Sequence, residues 1–143
     1  MKNDSNLFYA CSLIEYMGRE KKMRRADVVK HLGTKALRRI YQYADVLHAE
    51  PIAAVAEEYG RMYLPEDGEY DNVSACRYDL PDYWTIGKVF SRLVEDVDEG
   101  DTLQTLQDVY TSWISDAISD YNSDLFYQPR DYLRECYLNA CIV

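Results

Sequence analysis

Apolar positions along this chain recur at three- and four-residue steps, the period of an α-helix, and no segment sustains the two-residue alternation of a strand. Leu7, Cys11, Ile14 and Met17 form the first such stripe, so a helix is predicted to run to about residue 22, capped by Asp4 or Ser5. A short helix over 25–32 should stop at Gly33, and Thr34 should cap a third helix with Leu37, Ile40, Tyr41, Ala44, Leu47 and His48 on its inner face. Pro51 opens a fourth, carried by Ile52, Val55, Ala56 and Tyr59 and closed by Gly60. Over 61–82 the period disappears. Pro65-Glu66-Asp67-Gly68 and Asp71-Asn72 are turn signals, Pro81 closes the segment, and a loop this long is expected to be functional or irregularly packed. Asp82 then caps a fifth helix with Ile86, Val89, Phe90, Leu93, Val94 and Val97 on one side. After Gly100, Asp101 or Thr102 starts a long sixth helix whose stripe reads Leu103, Leu106, Tyr110, Trp113, Ile114, Ala117, Ile118 and Tyr121. Pro129 opens a seventh with Leu133, Cys136, Tyr137, Ala140 and Cys141 inward. The fold class is therefore all-α: about seven amphipathic helices in one bundle-like domain over 1–143, divided into N-terminal helices (1–60), a central loop (61–82) and C-terminal helices (83–143).

With 143 residues, 48% of them hydrophobic, the chain is long enough to bury a core. No apolar run approaches the roughly 18 residues of a membrane span, and the first residues, Met1-Lys2-Asn3-Asp4-Ser5-Asn6, lack a signal segment, so a cytoplasmic protein without a membrane partner is expected. The four cysteines then have no reason to pair. Cys11, Cys136 and Cys141 fall on apolar stripes, and neither they nor His31 and His48 have the two- to four-residue spacing of a zinc site; no metal or cofactor is expected. Charge changes the picture more. The net charge is −9, yet the window 19–39 holds nine bases and two acids, leaving the rest of the chain at −16. Such asymmetry either neutralises acidic neighbours within the fold or presents a basic contact surface.

Two runs, Cys11-Ser12-Leu13-Ile14-Glu15-Tyr16 and Tyr43-Ala44-Asp45-Val46-Leu47-His48, make residues 5–60 resemble an uncharacterised family of small helical Firmicutes proteins. In that family a Cys-Ile-Glu-Glu-Tyr-like stretch precedes Tyr-x-Asp-Val-Leu-His, with an apolar helix between, matched here by Val28, Val29 and Leu32. The members are often encoded beside toxin-like proteins resembling ADP-ribosyltransferases. What the resemblance implies is an accessory, antitoxin-like or defence-associated role; it assigns nothing to residues 61–143.

Several features are candidates for chemistry. The segment 26–40, with Gly33 between helices and Lys30, Lys35, Arg38 and Arg39 on outer positions, has the outline of a helix-turn-helix, whose second helix would meet base edges while its cations hold phosphates. The alternative is an ordinary bent helix pair with basic surface residues. His48, with Asp45 three residues back, has the spacing of an oriented imidazole, which is more often structural than catalytic. The acids Asp108, Asp116, Asp120 and Asp124, at four- and eight-residue steps, suggest a solvated face, or an acidic mimic of nucleic acid that inhibits a nucleic-acid-binding partner. Fourteen tyrosines are many for this length; Tyr41, Tyr59, Tyr110 and Tyr137 have core spacing, whereas Tyr63, Tyr70 and Tyr78 in the central loop suit a contact surface. Phosphate-binding glycine loops and nucleophile elbows are absent from the sequence, which disfavours an enzyme. The expectation is a non-enzymatic interaction module that acts by surface occupation through Lys30, Lys35, Arg38, Arg39, Tyr63, Tyr70 and Tyr78. Its partner should be a macromolecule, a protein before a nucleic acid, and the amphipathic helices also allow a homo-oligomer.

Overall fold

Helix α1 (Ser5–Lys21) carries apolar residues on almost every side: Leu7, Tyr9, Ala10, Cys11, Leu13, Ile14 and Met17 are all buried. A helix that is apolar all round belongs inside, with other helices wrapped about it. The computed structural model, which describes residues 4–143, shows that arrangement. Residues 1–3, part of the N-terminal stretch read above as free of a signal, lie outside the described residues. The Asp4 carboxylate caps α1 by accepting from the Leu7 amide at 3.0 Å, and Lys22, in the left-handed conformation, ends it.

Against α1 pack α2 (Arg25–Gln42), α4 (Ile52–Tyr63) and, most extensively, α6 (Tyr83–Val97). The contact with α6 needs Gly87, because a Cβ there would collide with the Ser12 backbone of α1. The remaining elements are α3 (Ala44–Leu47), α5 (Asn72–Ala75), α7 (Thr102–Tyr110), α8 (Trp113–Ser119), a 3₁₀ turn (Leu125–Tyr127) and α9 (Arg130–Asn139). Helix α7 packs on α2 and α6, α8 on α2, and α9 on α6. The buried apolar side chains form one core that draws on both halves of the chain.

The all-helical reading holds, with nine α-helices among the described residues where about seven were expected. The fourth helix runs past Gly60 to Tyr63, and α5 forms inside the expected loop 61–82; three further boundaries differ for physical reasons. The expected third helix, 34–48, ends at Gln42; the chain turns at Tyr43 (φ −107°, ψ 18°) before the single turn of α3. That turn re-aims the following residues, so Ala44 stays buried but His48, expected on the inner stripe, is exposed. The expected long sixth helix is cut at Ser112, whose backbone is extended and whose hydroxyl caps α8 by accepting from the Ile114 amide. Ser112 competes for the backbone as short hydroxyl residues do, and Trp113 is left 37% exposed instead of joining the stripe. At the C-terminus Ala140 takes a left-handed conformation, which ends α9 and leaves Cys141 in solvent, not inward. Tyr59 and Tyr110 are buried as their spacing suggests; Tyr41 and Tyr137 are only half-buried.

Gly33 does break the basic segment. Its φ of 74° and ψ of 170° interrupt α2, a conformation that essentially only glycine adopts. The break occupies one residue, whereas a helix-turn-helix uses a turn of three or four.

Candidate interaction surface

Eight of the nine bases of the window 19–39 divide into two groups; the ninth, Lys22, is exposed at the end of α1 and makes no ion pair among the described residues. Arg19, Lys21, Arg24 and Arg25 pair with acids of the fold: Glu15 for both Arg19 and Arg25, Asp67 for Lys21 and Asp116 for Arg24. Lys30, Lys35, Arg38 and Arg39 are exposed, and none makes an ion pair among the described residues. They are spread over both arms of α2, with Lys30 before the Gly33 break and the other three after it. Their helix is held from beneath by Val28, Val29, Leu32, Ala36, Leu37 and Ile40, all buried, and Thr34 reaches Gln107 of α7 at 3.0 Å. The backbone of this basic face is thus anchored while its charges point outward.

The central segment is strapped down. The Gly68 and Tyr70 amides donate to the Lys21 and Lys22 carbonyls at 2.8 and 2.9 Å. Tyr70 is half-buried with the Arg24 guanidinium 4.5 Å from its ring centre, and burial raises its phenol pKa. Tyr63 stacks on Tyr59 at the end of α4, 6.1 Å between centroids. Tyr78 alone of the three is open, at 68% exposure. The loop tyrosines therefore occupy three different settings, and only Tyr78 offers a largely free ring.

What holds the strap is a buried polar cluster that sequence reasoning missed. Glu15 and Arg25, both at 0% exposure, form a two-pronged pair: Arg25 Nε donates to Glu15 Oε1 at 2.9 Å and Nη2 to Oε2 at 3.1 Å. Arg25 also donates to the Met23 carbonyl, to Asn72 Oδ1 and to the Tyr121 hydroxyl. Arg19 adds a bond to Glu15 and another to the Pro81 carbonyl, and the Tyr121 hydroxyl donates to Glu15. Asn72, from the central segment, donates in turn to the Ser119 carbonyl at 2.8 Å. Burial alone would raise the Glu15 pKa, but the charges and hydrogen bonds of Arg25, then Arg19 and Tyr121, hold it below the usual carboxylate value. The one sequence signal was Glu15 itself, four residues after Cys11 and eight after Leu7, on the line of an apolar stripe.

The other candidates are dispersed. Exposed His48 has its ring edge-on to Tyr9, 6.1 Å away, and the Asp45 carboxylate accepts from the Val46 amide. Because α7 and α8 are separate helices, the acids are not one ladder: Asp108 accepts from Gln104, Asp116 is taken by Arg24, and Asp120 accepts from the Asn122 amide. Burial pushes the Cys11 thiol up to about 12, which keeps it protonated and unreactive. No cluster of three metal-ligating side chains occurs among the described residues, and no helix there is long and apolar enough to cross a membrane. Comparisons with protein-family models, with curated proteins and with solved structures give no match to this chain.

Proposed function

We propose that this chain is a non-enzymatic interaction module of the cytoplasm that binds an acidic protein through the outer face of α2. One observation carries the reading: Lys30, Lys35, Arg38 and Arg39 stay exposed and without an ion pair among the described residues, in a chain whose net charge is −9. Acids elsewhere on the surface neutralise Lys21, Arg24 and Arg134, whereas four of the unmatched cations share the outer face of one helix and so form a surface complementary to an acidic one. Its mechanism is occupation of the partner's surface, and the resemblance of residues 5–60 supports an accessory, antitoxin-like setting for it. Tyr78 is the loop tyrosine best suited to join such a contact.

A nucleic-acid reading draws on the same bases, and it is disfavoured by the single-residue break at Gly33 and by the acidic remainder of the surface. Anisotropy of labelled duplex DNA and RNA, titrated at low and at physiological salt, separates the two. The protein reading expects no saturable binding of either, together with salt-sensitive capture of a defined protein by the wild-type chain that R38E/R39E loses. Nucleic-acid binding that R38E/R39E abolishes replaces it with the second reading. Identical capture by wild-type and variant removes α2 from any contact.

A further inference from the structure

We propose that the cleft between α6, the start of α1 and the 3₁₀ turn binds a small planar aromatic anion, at a site sharing no residue with the α2 face. The cleft has a volume of about 520 Å³, within the roughly 300–1,000 Å³ of small-molecule sites. Its walls are aromatic. Phe8 and Trp84 lie 5.4 Å apart with their planes tilted by 46°, and Phe126 and Tyr127 of the 3₁₀ turn meet edge to face at 4.9 Å. Such rings offer stacking faces to a flat apolar body.

The charge at the cleft selects the sign of the ligand. Lys88 and Arg92, one turn apart on α6, both line it, and neither makes an ion pair among the described residues. The Lys88 ammonium sits 4.9 Å from the centre of the Phe8 ring, which fixes a cation beside an aromatic wall. Arg130 also lines the cleft but is consumed by Asp96, which accepts from Nη2 and Nε at 2.8 and 2.9 Å. The single carboxylate on the lining, Asp82, is turned to the start of α6, where it accepts from the Thr85 amide at 2.7 Å. Two cations without a carboxylate partner beside aromatic surface, in a chain with 25 acids and 16 bases, match a ligand with a flat hydrophobic body and one carboxylate or phosphate.

Calorimetry of the full chain with 2-naphthoate, 2-naphthyl phosphate and the neutral 2-naphthalenemethanol tests this, alongside ¹H–¹⁵N spectra of the same samples. At least one anion should bind, with the alcohol about tenfold weaker or more, as expected for losing a charge-assisted contact. K88E and R92E should each weaken the anion by about tenfold or more, R134E, on exposed α9 surface, should not, and the Trp84 indole N–H should shift while that of Trp113 stays. Preference for the phosphate or the carboxylate assigns the headgroup. Where a charge reversal perturbs folding, K88Q and R92Q replace it. Equal binding of the alcohol, insensitivity to both variants, a shift confined to Trp113, or no binding of either anion at millimolar concentration overturns the proposal.

Discussion

Replacing Glu15 with glutamine removes one negative charge from the middle of α1 while keeping the shape of the side chain. Arg25 then keeps its guanidinium at 0% exposure with no carboxylate against it, and Arg19 loses the same partner. Breaking one side of a buried pair costs about 3–5 kcal/mol, because the charge left behind is neither hydrated nor matched. Over a chain of 143 residues that lowers Tm by roughly 10–20 °C. An internal control separates burial from pairing: Arg134 and Glu135 are 2.7 Å apart, closer than the 2.9 Å of Arg25 and Glu15, but both side chains are about half exposed. E135Q should therefore cost no more than about 1 kcal/mol. Urea denaturation reads both, with the midpoint falling in E15Q and the slope unchanged. If E15Q costs less than about 1 kcal/mol, or no more than E135Q, the buried pair does not organise the fold as described.

Acid should act through the same carboxyl. Glu15 titrates below the usual carboxylate range when folded, so its contribution is complete above the unfolded pKa and is lost as pH falls through the folded one; the stability gap between wild type and E15Q should narrow on acidification below about pH 4.5, and a gap that widens contradicts the sign. Gly33→Ala meets no neighbour but must adopt φ 74°, so about 1–3 kcal/mol of strain is expected, visible as a lower urea midpoint. Asn72→Ala removes the link from Arg25 to the Ser119 carbonyl, and hydrogen exchange over 64–82 should accelerate more than exchange in α6. A thiol reagent should label Cys141 first and Cys11 and Cys136 only on unfolding, which mass spectrometry of timed samples resolves.

The helical class and the caps of α1, α6 and α7 were legible because they depend on local chemistry: Asp4, Asp82 and Asp101 each accept from an amide three residues on. Gly33 was legible for the same reason. The break at Ser112 was not, since the apolar stripe continues through it and only a hydroxyl competing for the backbone reveals the interruption. Least legible was the polar cluster. Glu15 and Arg25 lie 10 residues apart, but Asn72 and Tyr121 join them from 47 to 106 residues away, and periodicity counts Arg25 with the surface bases when its side chain is fully buried. The aromatic cleft was hidden likewise, because Phe8, Lys88 and Phe126 meet only after α1, α6 and the 3₁₀ turn have packed.

That misassignment of Arg25 sharpens the reading of its neighbours. A basic stretch whose members all found acids within the fold would need no external partner, and Arg19, Lys21, Arg24 and Arg25 behave that way. Their charge is spent within the fold, on Glu15 of α1, Asp67 of the central segment and Asp116 of α8, and Arg25 also holds Asn72 of the central segment. Lys30, Lys35, Arg38 and Arg39 contribute nothing comparable to the fold, so their charge is available outside it. On a molecule that is otherwise strongly acidic, such a face creates a field with a direction, which would orient the acidic partner proposed above during approach and disfavour alignment by the other sides. Association should then slow as ionic strength rises while dissociation changes little, because exposed charges act on encounter more than on the completed contact.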